Sequence, residues 1–202
     1  TLDRSSAASD VYKRQGLART DQEMQDHLAT LPNGGQSSLG SDWRAGDIMY
    51  ADINNDGKIS TENETLGNSG DLSVIGNSTP RFLFGLDLNA SWKGFDFRVF
   101  FQGVMKRDMW QGGAYMFGSS YSEWSSAGIV AVDDYFRDEN SWSVQNGYRE
   151  TNMNAFLPRP LYDDKNRQCQ TRYLQNAAYM RLKNLTVGYT FPVGYTRKLG
   201  IQ

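Results

Sequence analysis

The feature that most constrains the fold is an alternation of apolar and polar residues in RFLFGLDLNASWKGFDFRVFFQG, residues 81–103. Two strands joined by a two-residue turn at Lys93-Gly94 place one apolar set on a single face, because successive side chains of a strand point to opposite faces. This turn sets Trp92 opposite Phe95, and the apolar sets of both strands then share that face. The same register pairs three further rows of the face, Ala90 with Phe97, Leu88 with Val99 and Leu86 with Phe101.

The opposite face of this hairpin is polar apart from Leu83 and Phe100, with Ser91 paired to Asp96 and Asn89 to Arg98. Segments 81–92 and 95–104 match the roughly 9–11 residues that a tilted strand needs to cross a membrane. Ordinary strands are shorter, at about 5–6 residues. Aromatic residues stand at both ends of the apolar face, where an outer-membrane barrel carries its girdles. The pattern favours a face in lipid; a soluble antiparallel sheet with one face on a core gives the same alternation.

A third alternating segment, YMRLKNLTVGYTFP, covers residues 179–192. Its apolar set is Leu185, Val187, Tyr189 and Phe191. Pro192 ends the ladder because proline lacks a backbone donor. Arg181 and Lys183 share the apolar parity. We expect them at the level of the outer headgroups, where charged side chains cost only about 0–1 kcal/mol.

These segments predict an all-β chain: part of a transmembrane antiparallel β-barrel with long extracellular loops. Three strands cannot close a barrel, which takes eight or more, so we expect a fragment. Residues 1–15 are polar and aperiodic and resemble a translated cloning adapter, a non-native leader. Thr20 and Glu23 form a capping-box pattern that predicts a helix over about 21–30. The remaining divisions are an extracellular loop over 16–80, a transmembrane hairpin over 81–104, a long extracellular loop over 105–172, a transmembrane strand over 173–192 and a periplasmic turn over 193–202.

Composition excludes several other classes of protein. The 202 residues carry a net charge of −2, which gives no support for nucleic-acid binding. No apolar run approaches the 18 residues or so of a transmembrane helix. Cys169 is the single cysteine and His27 the single histidine. An internal disulfide, a zinc site built from several cysteines and histidine-based catalysis are therefore not expected.

The segment DINNDGKISTENE, residues 52–64, resembles a calcium-binding loop. Oxygen ligands at alternating positions around a glycine at the sharp turn suit calcium. Position 12 of the loop is Asn63, with an acidic residue on either side, so the closing ligand is open. An Asx/Gly turn without metal is the alternative. The candidate ligands are Asp52, Asn54, Asp56, the carbonyl of Lys58, and Glu64.

The segment 105–172 is rich in aromatic residues with carboxylates nearby. Apolar walls with a few polar groups suit ligands such as sugars, although the same aromatics can instead pack the loop onto itself or onto a partner. Asp133 and Asp134 are adjacent in sequence, which does not suit the opposed carboxylates of a glycosidase. We therefore expect no enzymatic activity. The candidate substrate residues are Trp110, Tyr115, Tyr121, Trp124 and Trp142.

The motifs GDIMYADINNDGKIS (46–60), GNSTPRFLFGLDLNASWKGFDFRVFFQG (76–103) and YMRLKNLTVGYTFP (179–192) occur in this order. Together they resemble the C-terminal part of SusC/RagA-type TonB-dependent outer-membrane transporters. The resemblance covers roughly 16–202 and implies a 22-stranded barrel with an N-terminal plug. It also implies energy coupling through TonB, a SusD-like surface lipoprotein as partner, and glycans or peptides as cargo. The plug and the TonB-contact segment have no counterpart in these motifs.

A different class of function remains open at this point. A secreted, calcium-stabilised β-sandwich that binds carbohydrate would combine the acidic loop, the aromatics and the alternating strands. The two interpretations differ in solubility, because barrel strands leave open edges and a large apolar patch on an isolated fragment.

Overall fold

The computed structural model describes residues 8–12, 14–63, 65, 67–118, 124–198 and 200. They divide into two compact units, Thr1–Gly76 with Met109–Gln175, and Asn77–Asp108 with Asn176–Gln202. Strands predominate over helices, and antiparallel sheets are present. The elements in chain order are β1 (Ala8–Tyr12), β2 (Arg14–Leu17), α1 (Asp21–Ala29), β3 (Ile48–Tyr50), β4 (Leu72–Asn77), β5 (Arg81–Trp92), β6 (Phe95–Lys106), β7 (Asp108–Trp110), α2 (Ala114–Phe117), α3 (Ile129–Asp133), α4 (Trp142–Gln145), β8 (Leu174–Asn176), β9 (Tyr179–Tyr189) and α5 (Val193–Lys198).

Helix α1 of the first unit begins at the predicted capping box. The Thr20 hydroxyl accepts a hydrogen bond from the backbone N–H of Glu23 at 3.1 Å. The Glu23 carboxylate in turn accepts from the backbone N–H of Arg19 at 2.7 Å, so donors at the start of the helix are satisfied. The predicted helix is therefore confirmed. Its Met24 packs into a buried cluster with Ile48 and Tyr50 of β3.

A buried group of charges joins two distant segments of the first unit. The Asp47 carboxylate has no solvent exposure and accepts from Arg159 Nε at 2.7 Å and Nη2 at 2.8 Å. Lys165 Nζ lies 3.2 Å from the same carboxylate and donates to the Ser41 carbonyl at 2.6 Å. The Asn166 amide adds a hydrogen bond to Asp47 at 2.8 Å. A buried carboxylate with this many donors is well compensated for the water it loses.

The predicted long loop, 105–172, contains β7 and the short helices α2, α3 and α4. Phe117 and Leu157 of this segment form a buried cluster with Tyr173, which directly follows it, and the Phe117 and Tyr173 rings meet edge to face with centroids 4.9 Å apart. Burial of these side chains gives the segment its own hydrophobic stabilisation. Its predicted extracellular location stays a prediction.

The second unit is built on the three-stranded antiparallel sheet β5-β6-β9. The register of β5 and β6 is the one predicted, with Trp92 opposite Phe95 and Leu88 opposite Val99. Lys93 and Gly94 form the turn with φ of +48° and +89°. Positive φ at both positions is the signature of a type I′ turn, whose twist matches that of paired strands. The predicted hairpin is confirmed as a hairpin; its crossing of a membrane stays a prediction.

A β-bulge in β9 corrects the predicted faces of its basic residues. Phe100 pairs with Asn184 and Phe101 with Leu182, so Lys183 is the extra residue of the bulge. Beyond a bulge the parity of a strand changes, and Arg181 pairs with Gln102 on the polar face. The sequence-based expectation that Arg181 shares the apolar face with Leu185 is therefore wrong. The prediction assumed an unbroken alternation of faces from Leu185 back to Arg181, whereas Lys183 adds one residue to β9 between them.

The apolar face of the sheet is exposed within the described chain. Leu88 is 48% exposed and Val187 is 68% exposed, and most other members of the face resemble them. Contiguous apolar surface of this kind marks a site of interaction with lipid or protein. Among the described residues, no helix has both the length and the apolar character to cross a membrane.

The two ends of the chain differ in detail from the predicted divisions. Within the predicted leader, β1 pairs with β4, and β2 pairs with β3. This pairing does not test whether residues 1–15 are native, which stays a prediction. Near the other end, the predicted strand 173–192 is represented by β8 and β9, and α5 occupies part of the predicted turn 193–202.

Candidate functional site

The acidic loop begins with Asp52, whose carboxylate organises the backbone that follows. It accepts hydrogen bonds from the N–H groups of Asn55 at 2.6 Å and Gly57 at 2.8 Å. Asn55 and Gly57 have φ of +60° and +79°, the left-handed conformation that Asn and Gly tolerate best. A Cβ at Gly57 would also approach Pro32 to 3.0 Å, so glycine is needed at this turn.

Asn54 and Asp56 complete the curl of the loop. The Asn54 side-chain oxygen accepts from the Asp56 N–H at 3.1 Å, and its amide donates to the Asp56 carboxylate at 3.0 Å. Asp56 also accepts from the Lys58 N–H at 3.0 Å. The structure thus brings together the predicted ligands Asp52, Asn54 and Asp56 in one turn. The predicted ligand Glu64 lies outside the described residues.

Asp71 is the third carboxylate of the site, and it was not predicted. Oxygen atoms of Asp52, Asp56 and Asp71 all lie within 4.8 Å of one another. Asp71 is buried and accepts from the N–H groups of Ile53 at 2.7 Å and Ser60 at 2.8 Å. Burial raises the pKa of its carboxyl, and the nearby charge of Asp52 raises it further, against these hydrogen bonds. The available signal was an aspartate directly before the apolar strand β4.

Glu62, the described acidic neighbour of Asn63, forms an ion pair with Lys58. Glu62 lies 2.7 Å from Lys58 Nζ, and Lys58 is 4.0 Å from the Asp56 carboxylate. Contact with Glu62 raises the pKa of Lys58, and contact with Lys58 lowers the pKa of Glu62. Three convergent carboxylates suit a hard cation with oxygen ligands. The Lys58 side chain lies at the rim of this group.

A second candidate site is a cleft of about 420 Å³ in the first unit. Trp142 and Tyr135 supply aromatic rings, while Asp138 and Arg44 supply opposite charges. Trp142 is 69% exposed and stacks on Tyr148 with ring centroids 5.4 Å apart. The Tyr135 hydroxyl lies 3.1 Å from the Ser143 hydroxyl. Exposed aromatic faces beside polar groups can hold an amphipathic ligand such as a sugar.

The structure does not gather the predicted substrate residues into one site. Trp142 lines the cleft, whereas Trp110 packs over Gly112 and Tyr115 over Gly128. Trp124 is strongly exposed. Tyr121 lies outside the described residues. Tyr135 and Phe136, aromatic residues of the same segment, line the cleft together with Trp142.

Other reactive side chains of the first unit have structural surroundings. Asp133 forms an ion pair with Arg149 at 3.1 Å, and Asp134 accepts from Asn152 at 3.0 Å. Each of these neighbouring carboxylates therefore has a hydrogen-bonding or ionic partner of its own. Burial raises the pKa of the Cys169 thiol to about 11, which keeps it protonated near neutral pH.

Comparison with known proteins places these features in a wider context. No protein-family model matches the chain. The chain is 31% identical over 168 residues to TonB-dependent receptor P3 of Formosa agariphila, a match that covers 83% of this chain. It is 26% identical over 149 residues, 73% of the chain, to TonB-dependent receptor P26 of the same organism. The matches span 14% and 13% of the length of these relatives.

These similarities support the TonB-dependent receptor family for this chain. They extend over most of its length.

Proposed function

We propose that this chain is part of a SusC/RagA-type TonB-dependent transporter in the outer membrane. The observation that carries the proposal is the exposed apolar face of β5-β6-β9, which follows the predicted register. In this proposal the face lies in lipid, and the strands belong to a closed barrel of 22 strands. The similarity to two TonB-dependent receptors supports the same assignment.

The proposed orientation follows from the lengths of the connections. Outer-membrane barrels have short periplasmic turns and long extracellular loops. The two-residue turn Lys93-Gly94 then faces the periplasm, and the segments before 80 and after 105 are extracellular. Energy reaches the transporter through TonB, and a SusD-like surface lipoprotein covers the extracellular side. No covalent chemistry is involved, because transport needs only binding and conformational change.

We further propose that the cargo is a glycan or a peptide and that Trp142 contacts it. The exposed Trp142 face at the cleft supports this role. Its removal in Trp142→Ala should weaken cargo binding to the intact transporter, whereas Trp124→Ala, which lies outside the cleft lining, should not. Equal binding by both variants would contradict the assignment.

The acidic loop is proposed to bind calcium through Asp52, Asp56 and Asp71, with the Asn54 side chain and the Lys58 carbonyl as further oxygen donors. The convergence of three carboxylate oxygens within 4.8 Å supports this proposal. Like charges this close repel one another, and a divalent cation relieves the repulsion. The ion would fix a loop that also contacts the segment after α1, where the Asn33 side chain donates to the Asp56 carbonyl at 2.5 Å.

The test of the proposed function uses the intact protein and two adjacent positions of β5. Leu88 lies on the apolar face and Asn89 on the polar face. A lysine on the lipid face near the midplane costs about 2–4 kcal/mol, whereas the interior tolerates charge. Leu88→Lys should therefore lose assembly into the outer membrane and Asn89→Lys should keep it, as measured by membrane fractionation. A wild-type protein found in a soluble fraction would overturn the proposal and favour a secreted β-sandwich.

A further inference from the structure

The polar face of the sheet β5-β6-β9 carries its charges unevenly. In the half near the Lys93-Gly94 turn, both acidic residues are engaged. Asp87 forms a two-point ion pair with Arg98, with Nη2 to Oδ2 at 2.6 Å and Nε to Oδ1 at 3.1 Å. Asp96 accepts from the Ser91 hydroxyl at 2.7 Å. The charge of Arg98 is thus balanced in this half.

The other half of the polar face carries three cations. Arg81 lies directly opposite Lys106, and Arg181 lies opposite Gln102 two rows away. Like charges directly opposite each other on a sheet are destabilising. A negatively charged group that lies between two such cations relieves their repulsion. In the part of the chain that the structure describes, none of these three side chains forms an ion pair with a carboxylate. We call Arg81, Lys106, Arg181 and Tyr179 the basic patch.

Tyr179 gives this patch an aromatic ring. It pairs with Val104. This row of the sheet lies between the row that holds Arg81 and Lys106 and the row that holds Arg181. The Arg181 guanidinium carbon lies 4.5 Å from the Tyr179 ring centroid. Rows on one face of a strand repeat every two residues, or about 7 Å, so the cations extend over about 14 Å along the strands. The Lys183 bulge is what turns Arg181 and Tyr179 to this face.

We propose that the basic patch binds an anionic oligosaccharide, one that carries carboxylate or sulfate groups. Guanidinium groups bind such oxyanions through paired, charge-assisted hydrogen bonds. The Tyr179 ring offers an apolar face to a sugar, and the spread of the cations suits substituents on successive sugars rather than a single ion. This inference rests on the proposed function and deepens it, because the polar face of a barrel strand lines the interior.

The experiment introduces a cysteine inside the patch of the intact transporter. Leu83 is 69% exposed and shares its row with Val104 and Tyr179. The Leu83→Cys variant is made in a Cys169→Ser background. Its thiol is modified in separate reactions with two methanethiosulfonate reagents, one with an anionic sulfonate group and one with a cationic ammonium group. We expect the anionic reagent to react faster. Trigalacturonate should slow the modification at concentrations at which neutral maltotriose does not.

Charge removal supplies the matched comparison. Arg81→Gln with Lys106→Gln should lower the ratio of anionic to cationic rates by at least about fivefold, because even one charge contact at close range in water is worth about 1 kcal/mol. The control is Lys198→Gln. Lys198 is an exposed residue at the end of α5, in the second unit but outside the basic patch, and its replacement should leave the ratio of anionic to cationic rates unchanged. Trigalacturonate protection should disappear in the double variant alone.

Two results would overturn the inference. One is a ratio of rates that the double variant does not change; the other is equal protection, or none, by trigalacturonate and maltotriose. Fractionation of the same preparations separates this inference from the proposed function. If the protein is in the outer membrane and one of these two results is found, the transporter proposal holds and the anionic ligand is ruled out. If the protein is not in the outer membrane, both the transporter proposal and this inference are contradicted.

Discussion

Asp47 and Arg159, separated by 112 positions in the sequence, form a two-point ion pair with distances of 2.7 and 2.8 Å. Lys165 lies against the same buried carboxylate at 3.2 Å. Removal of one member of a buried ionic group leaves the others without compensation and costs about 3–5 kcal/mol. This contact therefore fixes the chain before β3 to the segment around 159–166.

Asp47→Asn should destabilise this part of the first unit by about 3–5 kcal/mol, because two buried cations lose their counter-charge. Native-state hydrogen exchange of the Ile48 and Tyr50 amides measures the change. The control is Asp133→Asn, which removes a surface ion pair worth about 0–1 kcal/mol. An Asp47→Asn effect as small as that of the control would contradict the role given to this carboxylate.

The buried His27 predicts a dependence of stability on pH. Burial lowers its pKa below the ordinary value of 6.5, only partly offset by the hydrogen bond to Gln36 at 3.2 Å. The unfolded chain therefore takes up a proton near pH 6.5 while the folded chain does not. Stability is full above pH 6.5 and falls as the pH drops from there toward the lowered pKa. Hydrogen exchange of α1 between pH 7.5 and 5 measures this loss, and His27→Gln should abolish it; an unchanged profile in the variant would contradict the prediction.

Asp71 should matter for calcium as much as the residues that the loop motif contains. Asp71→Asn removes one of three convergent charges and should weaken terbium or calcium binding at least about tenfold, since charge count tunes the affinity of such sites. Because the pKa of Asp71 is raised, its carboxylate takes up a proton at a higher pH than an ordinary aspartate does. Calcium binding should therefore also weaken as the pH falls through the raised pKa of Asp71. Titration calorimetry of the intact protein measures both effects. Asp133→Asn serves as the control, and equal affinities in both variants would argue against a metal at this loop.

The β9 bulge predicts an unusual tolerance to deletion. Lys183 is the extra residue, so its removal leaves Leu182 opposite Phe101 and Asn184 opposite Phe100, as before. Removal of Thr186 instead shifts Leu185 to the polar face and Asn184 to the apolar face, because faces alternate with every residue. Outer-membrane assembly should survive the first deletion and fail with the second. Failure of both, or survival of both, would show that this register does not control assembly.

The hairpin and helix α1 could be predicted because their signals are local. A period of two over 81–103 fixes the faces, a two-residue turn fixes the register, and a capping box fixes a helix start. The bulge could not be placed, although the wrong parity of Arg181 indicated a break. Asp71 lies outside the loop motif 52–64, and Asp47 and Arg159 are 112 positions apart; which of these residues meet depends on the tertiary fold, which spacing alone does not determine.

The most direct test of the central proposal is the accessibility of alternate positions along β5 in the intact protein. Nitroxide labels at Leu86, Leu88 and Ala90 should contact lipid-dissolved oxygen and be shielded from a water-soluble paramagnetic nickel complex. Labels at Asp87, Asn89 and Ser91 should lack contact with lipid, because successive side chains point to opposite faces of the strand. Equal access of the nickel complex to both sets would contradict a lipid-facing sheet.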